Sequence, residues 1–230
     1  MSEPRPFEVR DRGEASPPPA PPPPAPPAGR STATWIVGVV VLLAIAYITL
    51  NTLRTEAPGS RGVAPGSQLP PFAAPLATSR LEGDANVATK PGSGDKGARP
   101  ACAVRGPDIV NSCALAERGP VVLAFVATRS ERCEEQVDAL ERVRRRYRDV
   151  GFAAVAIRGD RDALRAVIRR RGWTLPVAYD HDGAVANAYA VAICPTVTFA
   201  YQGGRVQGTS LALIDGAALR RRIEALRRGP

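Results

Sequence analysis

The chain has 230 residues, including 23 prolines and 21 glycines. Because 18 of the 23 prolines lie in the first hundred positions, only the second half can build a sizeable hydrophobic core. The net charge is +9. After residue 100 every basic residue is an arginine, carried on the polar faces of helical patterns without stacking aromatics or a recognition-helix motif, which argues against a nucleic-acid-binding protein.

The N-terminal part predicts a tail and a membrane anchor. Residues 1–30 contain a polyproline tract that cannot pack a core, so we expect a disordered, Pro-rich cytoplasmic tail. Residues 31–53 carry no charge, and their apolar run is long enough to cross a hydrocarbon core of roughly 30 Å. The preceding segment is long and mixed in charge, and no cleavage site follows, which favours a single transmembrane helix over a signal peptide.

The cysteines indicate on which side of the membrane the fold lies. All four follow the predicted span, and their even number favours disulfides and an extracytoplasmic domain. Four unpaired, buried thiols in a cytosolic domain are the alternative. The arginines on the two flanks of the span balance, so charge does not decide the orientation. We therefore expect a linker at 54–66 and an extracytoplasmic domain at 67–230, with a mobile loop at 90–101.

The second half alternates strand and helix patterns. Continuous apolar runs predict buried strands, and apolar residues at helical spacing predict the helices between them. The predicted elements are a strand at 120–128, a helix at 130–149, a strand at 151–159, a helix at 160–172, a short helix at 180–191, two strands within 195–210 and a helix at 215–228. A turn at Gly203 and Gly204 joins the last two strands. This order predicts an α/β fold, with a mixed central sheet covered by helices on both faces.

Four sequence segments carry a resemblance to a known superfamily. They are LPPFAAPL (69–76), GPVVLAFVATRSERC (119–133), LPVAYDHDGAVANAYAV (175–191) and ICPTVTF (193–199). In this order the chain resembles the thioredoxin-like superfamily, particularly membrane-anchored bacterial thiol-disulfide oxidoreductases and alkyl hydroperoxide reductase-type redoxins. The resemblance covers about residues 67–230. It implies a thioredoxin-like fold and a cis-proline at Pro195.

The chain departs from the Cys-x-x-Cys motif of those relatives. The resemblance places Arg129 where a tryptophan is common, Ser130 at the nucleophilic cysteine and Cys133 at the resolving cysteine. In a dithiol site the first thiolate attacks a disulfide and the second thiol resolves the mixed disulfide. A serine hydroxyl cannot make that attack. The motif is therefore Ser-x-x-Cys, and ordinary dithiol cycling within it is excluded on this alignment.

The resemblance offers two ways to retain chemistry at this site. Cys194 directly precedes Pro195, a position that lies against the helix start in the resembled fold, so Cys133 and Cys194 can form a redox-active or structural pair. Alternatively, the spacing of Ser130 and Cys133 matches the Thr/Ser-x-x-Cys motif of peroxiredoxins, in which a hydroxyl and an arginine stabilise a peroxidatic thiolate. Val126 stands where that motif has a proline.

Each of these residues also has a purely structural interpretation. Ser130 can be an N-cap, Thr128 with Glu131 can form a capping box, and Cys133 can be a small buried hydrophobe. The segment between Cys102 and Cys113 is short, which favours a structural disulfide between them. His181 is explained by an Asp-His-Asp-Gly turn better than by a metal site.

Together these observations predict a membrane-anchored, extracytoplasmic thioredoxin-like protein that handles thiols or disulfides through Cys133 and Cys194. The alternatives are a peroxiredoxin-like peroxidase that uses Cys133 and a catalytically silent binding module. The expected partners are thiol or disulfide proteins, or peroxide, and the lipid bilayer. We expect no cofactor, metal or nucleic acid.

Overall fold

The computed structural model describes residues 32–54 and 61–230. The chain divides into two compact units, Met1–Thr55 and Glu56–Pro230. The predicted Pro-rich tail at 1–30 and residues 55–60 of the predicted linker lie outside the described residues.

The first unit contains the helix α1, Thr32–Arg54. Most of its large apolar side chains between Trp35 and Leu50 are exposed. The predicted transmembrane helix at 31–53 is not found, because no helix in the described part of the chain is long and apolar enough to cross a membrane.

The second unit begins with a small antiparallel ribbon, in which β1 (Ala73–Pro75) pairs with β2 (Ile109–Asn111). The helix α2 (Ser112–Arg118) follows β2 directly. Asn111 caps α2 by accepting a hydrogen bond from the amide of Ala114. The sequence patterns did not predict these elements, because strands of three residues are too short to show an alternation of apolar and polar positions.

The core of the unit is a five-stranded mixed sheet in the order β5-β4-β3-β6-β7. Its strands are β3 (Val121–Ala127), β4 (Gly151–Arg158), β5 (Val177–Tyr179), β6 (Thr196–Ala200) and β7 (Val206–Ser210). The strands β3, β4 and β5 run parallel, whereas β6 is antiparallel to both β3 and β7. The predicted mixed sheet is confirmed. Its central strand, β3, leads directly into the Ser-x-x-Cys segment.

Helices cover both faces of this sheet. They are α3 (Glu131–Arg144), α4 (Arg161–Arg171), α5 (Ala184–Ala188) and α6 (Gly216–Arg228). On one face, Val122 and Ala124 of β3 pack with residues of α3 and α6, and Val126 packs with α3 and α4. On the opposite face, Leu123 and Phe125 pack with α2, α5 and the ribbon. The alternation of side chains along β3 thus sends successive residues into two separate cores.

The helix that carries the Ser-x-x-Cys motif is shorter than its sequence pattern predicts. We expected a helix at 130–149, but α3 ends at Arg144. The amide of Tyr147 then bonds to the carbonyl of Arg144, and the amide of Val150 bonds to the carbonyl of Tyr147. These turns bring Tyr147 and Val150 into the core beneath the sheet. Burial of these two side chains therefore overrides the helical pattern of the arginine-rich segment.

Candidate functional site

The first half of the candidate site lies where β3 runs into α3. Ser130 occupies the N-cap position, and its carbonyl accepts hydrogen bonds from the amides of Cys133 and Glu134 at 3.0 and 3.1 Å. Cys133 therefore sits in the first turn of α3. Helix N-termini carry a partial positive charge, which stabilises a thiolate at such a position.

The second half of the site comes from the start of β6. The peptide bond between Cys194 and Pro195 is cis, as the resemblance implies. Because Thr196 pairs with Phe125 across the antiparallel β3 and β6 strands, Cys194 lies beside the end of β3. A disulfide joins Cys133 to Cys194, with Cα atoms 5.6 Å apart across a sequence separation of 61. The structure thus brings together Ser130, Cys133, Cys194 and Pro195.

The serine hydroxyl contacts sulfur and does not cap the helix. Ser130 makes no side-chain capping bond, and its Oγ lies 2.8 Å from the Sγ of Cys133. A sulfur in a disulfide carries no hydrogen, so the hydroxyl is the donor in this contact. Ser130 is the N-cap residue, as its structural interpretation predicts, but its hydroxyl makes no bond to the helix amides. The capping box with Thr128 at the N-cap is wrong, because the N-cap position belongs to Ser130.

The two sulfurs have different surroundings. Cys133 is completely buried, among residues that include Val137 and Leu164. Cys194 is only partly buried, and its Sγ lies 3.3 Å from the carbonyl oxygen of Phe125. The Cys194 residue is therefore partly exposed to solvent, whereas the Cys133 residue is not exposed at all.

The arginines near the motif point towards solvent. Arg129 is exposed and adopts a left-handed backbone conformation, with φ of 67°. The amide of Ala163 lowers the pKa of the Asp160 carboxyl, and the charge of Arg129 contributes to this shift. Arg132 is exposed as well. Neither arginine forms a hydrogen bond to a sulfur among the described residues.

Sequence reasoning missed two residues that support the site. Gly159 follows β4 with φ of +111°, and a Cβ there would lie 1.8 Å from Oγ1 of Thr128 in the loop before α3. Only glycine fits this close approach. Tyr179 packs in the same cluster as Cys133 and Cys194, and its hydroxyl donates to the Gly159 carbonyl at 3.3 Å. The glycine at the end of a predicted strand is the one signal that could have identified this support.

A second disulfide joins Cys102 to Cys113, with Cα atoms 5.4 Å apart. Cys113 belongs to α2, on the face of the sheet opposite to α3, and Cys102 is exposed. The Asn111 side-chain amide donates to the carbonyls of Ala101 and Val104, which ties the same segment to the start of α2. None of the four cysteines is free.

His181 makes an exposed contact with a carboxylate. Its Nδ1 is 3.0 Å from a carboxylate oxygen of Asp84, and both side chains are exposed. Within the described residues no group of three or more His, Cys, Asp or Glu side chains is arranged to hold a metal ion. The two-residue contact is an ordinary surface pair.

Comparison with known proteins gives a family match and a shared fold. The model of the AhpC/TSA family matches residues 106–209. No curated protein matches the sequence. A putative thiol:disulfide interchange protein DsbE from Chlorobium tepidum is similar in structure, with 20% identity and a TM-score of 0.53, covering 71% of this chain and 98% of that protein.

A second similar structure is a putative protein disulfide isomerase from Bacteroides thetaiotaomicron. It has 14% identity and a TM-score of 0.54, covering 74% of this chain and 94% of that protein. The order of strands, the cis-proline before β6 and these similarities agree on one architecture. The second unit of this chain therefore has a thioredoxin-like fold, with a segment that matches the AhpC/TSA family.

Proposed function

We propose that this protein is a thiol-disulfide oxidoreductase whose redox pair is Cys133 and Cys194. The observation that carries the proposal is the disulfide between them, at the start of α3 and beside Pro195. Cys194 supplies the second sulfur that the Ser-x-x-Cys motif lacks. The similarity to proteins described as thiol-disulfide exchangers supports the same chemistry.

The surroundings of the pair suit reversible exchange. Cys194 is partly exposed, so a thiolate from another protein can approach this half of the pair. The other lies at a helix N-terminus beside a hydroxyl donor, which favours its departure as a thiolate. A thiol protein is therefore the proposed substrate, with no cofactor required for two-electron exchange.

A redox titration of the purified protein tests this proposal. In buffers of varied glutathione ratio we expect a reversible two-electron couple, read from alkylation of the two thiols. Cys133→Ser and Cys194→Ser should each abolish the couple. The double variant Cys102→Ser/Cys113→Ser serves as the matched control and should retain it. A pair that stays oxidised or reduced under all these buffers would refute the proposal.

Peroxidase activity is the second candidate function. Its support is the contact of the Ser130 hydroxyl with Cys133, together with the AhpC/TSA family match. Complete burial of Cys133 and the valine at position 126 weigh against it. If the reduced protein consumes hydrogen peroxide rapidly and Cys133 passes through a sulfenic acid, peroxide chemistry replaces thiol-disulfide exchange as the function.

We further propose that the domain works outside the cytoplasm. Its two disulfides support this location, because such bonds persist mainly in oxidising compartments. The membrane anchor at 31–53 stays a prediction that depends on the uncharged sequence alone. A C-terminal reporter that is active only in the cytoplasm should give no signal. Washing the membranes with alkaline carbonate should leave the full chain in the membrane fraction. Release of the chain into the carbonate wash would refute the predicted membrane anchor.

A further inference from the structure

The two sulfurs of the redox pair differ in how easily an incoming thiolate can reach them. Thiol-disulfide exchange requires the nucleophile to approach along the axis of the sulfur–sulfur bond, so the attacked sulfur must be accessible. Cys133 has no exposed surface. Cys194 is partly exposed, and Ile193 beside it is 49% exposed. The greater exposure of Cys194 therefore favours attack on the sulfur of Cys194.

The hydrogen-bond partners of the two sulfurs favour the same direction. Ser130 directs a hydroxyl donor at Cys133, which stabilises a negative charge on that sulfur. Cys194 faces the carbonyl oxygen of Phe125, which is an acceptor. A carbonyl acceptor stabilises the protonated thiol of Cys194 and disfavours its thiolate. When the bond breaks, the charge is therefore better placed on Cys133.

We infer that the sulfur of Cys194 receives the substrate and that Cys133 is the leaving group, so the residue before the cis-proline takes the part of the nucleophilic cysteine that Ser130 replaces. This inference rests on the proposed function and names the order of events within it. It makes the residue before Pro195 the point of covalent contact with the substrate.

Two exchange steps transfer two electrons from the substrate to the protein. A substrate thiolate attacks Sγ of Cys194, and a bond forms between the substrate sulfur and this Sγ. The electron pair of the Cys133–Cys194 bond moves to Sγ of Cys133. The Ser130 hydroxyl and the N-terminus of α3 stabilise the resulting thiolate. A second substrate thiolate then attacks the substrate sulfur of the mixed disulfide. Cys194 leaves and takes a proton, so the substrate is oxidised by two electrons and the protein is reduced by two.

Trapping the first step in the wild-type protein tests this order. The oxidised full chain is mixed briefly with reduced glutathione, quenched with acid and alkylated with N-ethylmaleimide. Peptide mass spectrometry should find glutathione on Cys194 and the maleimide on Cys133, in at least tenfold excess over the opposite pattern. Glutathione mainly on Cys133, or shared equally between the two cysteines, would overturn the inference.

Variants that keep only one cysteine of the redox pair provide an independent measurement. With each rate corrected for the thiolate fraction from its pH dependence, the remaining Cys194 in Cys133→Ser should react with dithionitrobenzoate at least tenfold faster than the remaining Cys133 does in Cys194→Ser. Both variants should react at equal rates in denaturant, which shows that access in the folded state causes the difference. Equal rates in the folded proteins would contradict the inference.

The part played by Ser130 has its own readout. In the Cys194→Ser background, the thiolate absorbance of Cys133 at 240 nm is followed against pH. Ser130→Ala should move its midpoint to higher pH, whereas Ser130→Thr, which keeps a hydroxyl, should move it less. An unchanged midpoint in Ser130→Ala would remove Ser130 from the mechanism.

These outcomes separate the inference from the proposed function. If the wild-type pair titrates as a two-electron couple but the trapped glutathione lies on Cys133, the oxidoreductase stands and the assigned order fails. If the pair does not titrate at all, the proposed function itself fails.

Discussion

The disulfide between Cys102 and Cys113 should stabilise the domain without taking part in exchange. It closes a loop with a sequence separation of 11. The chain-entropy model gives about 3 kcal/mol for a loop of this length, through the restricted unfolded state. For a domain of this size about 1 kcal/mol changes the melting temperature by about 2–4 °C. We therefore expect Cys102→Ser/Cys113→Ser to lower it by about 8 °C.

The folded state of that variant should remain intact, because Asn111 and a bidentate ion pair between Arg105 and Glu117 still hold the segment. Thermal unfolding of the full chain is followed by circular dichroism, with and without reductant. In reductant the wild type and the variant should melt at the same temperature. Such a result shows that the Cys102–Cys113 disulfide causes the difference in melting temperature seen without reductant. A variant that melts within about 1 °C of the wild type without reductant would refute the stabilising role of this disulfide.

Two further predictions concern a buried carboxylate and a glycine. Burial raises the pKa of the Glu141 carboxyl, but hydrogen bonds led by those from Thr174 outweigh it and hold the pKa below its ordinary value. Such a group stabilises the fold above its unfolded pKa and loses that contribution as pH falls through the folded pKa. Glu141→Gln should therefore lower the urea midpoint clearly at pH 7 and much less near pH 3, and an equal loss at both would contradict this reasoning. Gly159→Ala should destabilise the domain by about 1–3 kcal/mol and slow exchange, because the new Cβ collides with Thr128. The control Gly172→Ala also changes a glycine of positive φ, here +67°, but with open space around it, so it should cost less stability and leave the exchange rate unchanged.

Several elements were predictable because their signals are local. The continuous apolar run before the Ser-x-x-Cys segment reads as a buried strand whatever lies around it, and the structure places β3 there. The limits of α4 were readable for the same reason, since Asp160 accepts a hydrogen bond from the amide of Ala163 and Gly172 adopts the left-handed conformation. The glycine turn between β6 and β7 follows this rule too, with positive φ at both Gly203 and Gly204.

Other elements depend on contacts between distant parts of the chain. The three-residue strands β1, β2 and β5 have no pattern of their own and exist through pairing with their neighbours. The helical pattern of the arginine-rich segment continues past Arg144, yet the chain turns there because Tyr147 and Val150 are needed in the core. Local propensity could not reveal either outcome.

The candidate site shows the same division. Local patterns were enough to predict a cysteine in the first helical turn after a buried strand and a serine in place of the other cysteine of the motif. The part that Ser130 plays depends on contacts between distant segments of the chain. Its hydroxyl turns to Cys133 rather than to the helix amides, in a site completed by Cys194 from 61 residues away. The difference in access between the two sulfurs is also tertiary, because residues of α3, β4 and α4 cover Cys133 whereas Cys194 lies at the end of a loop before β6.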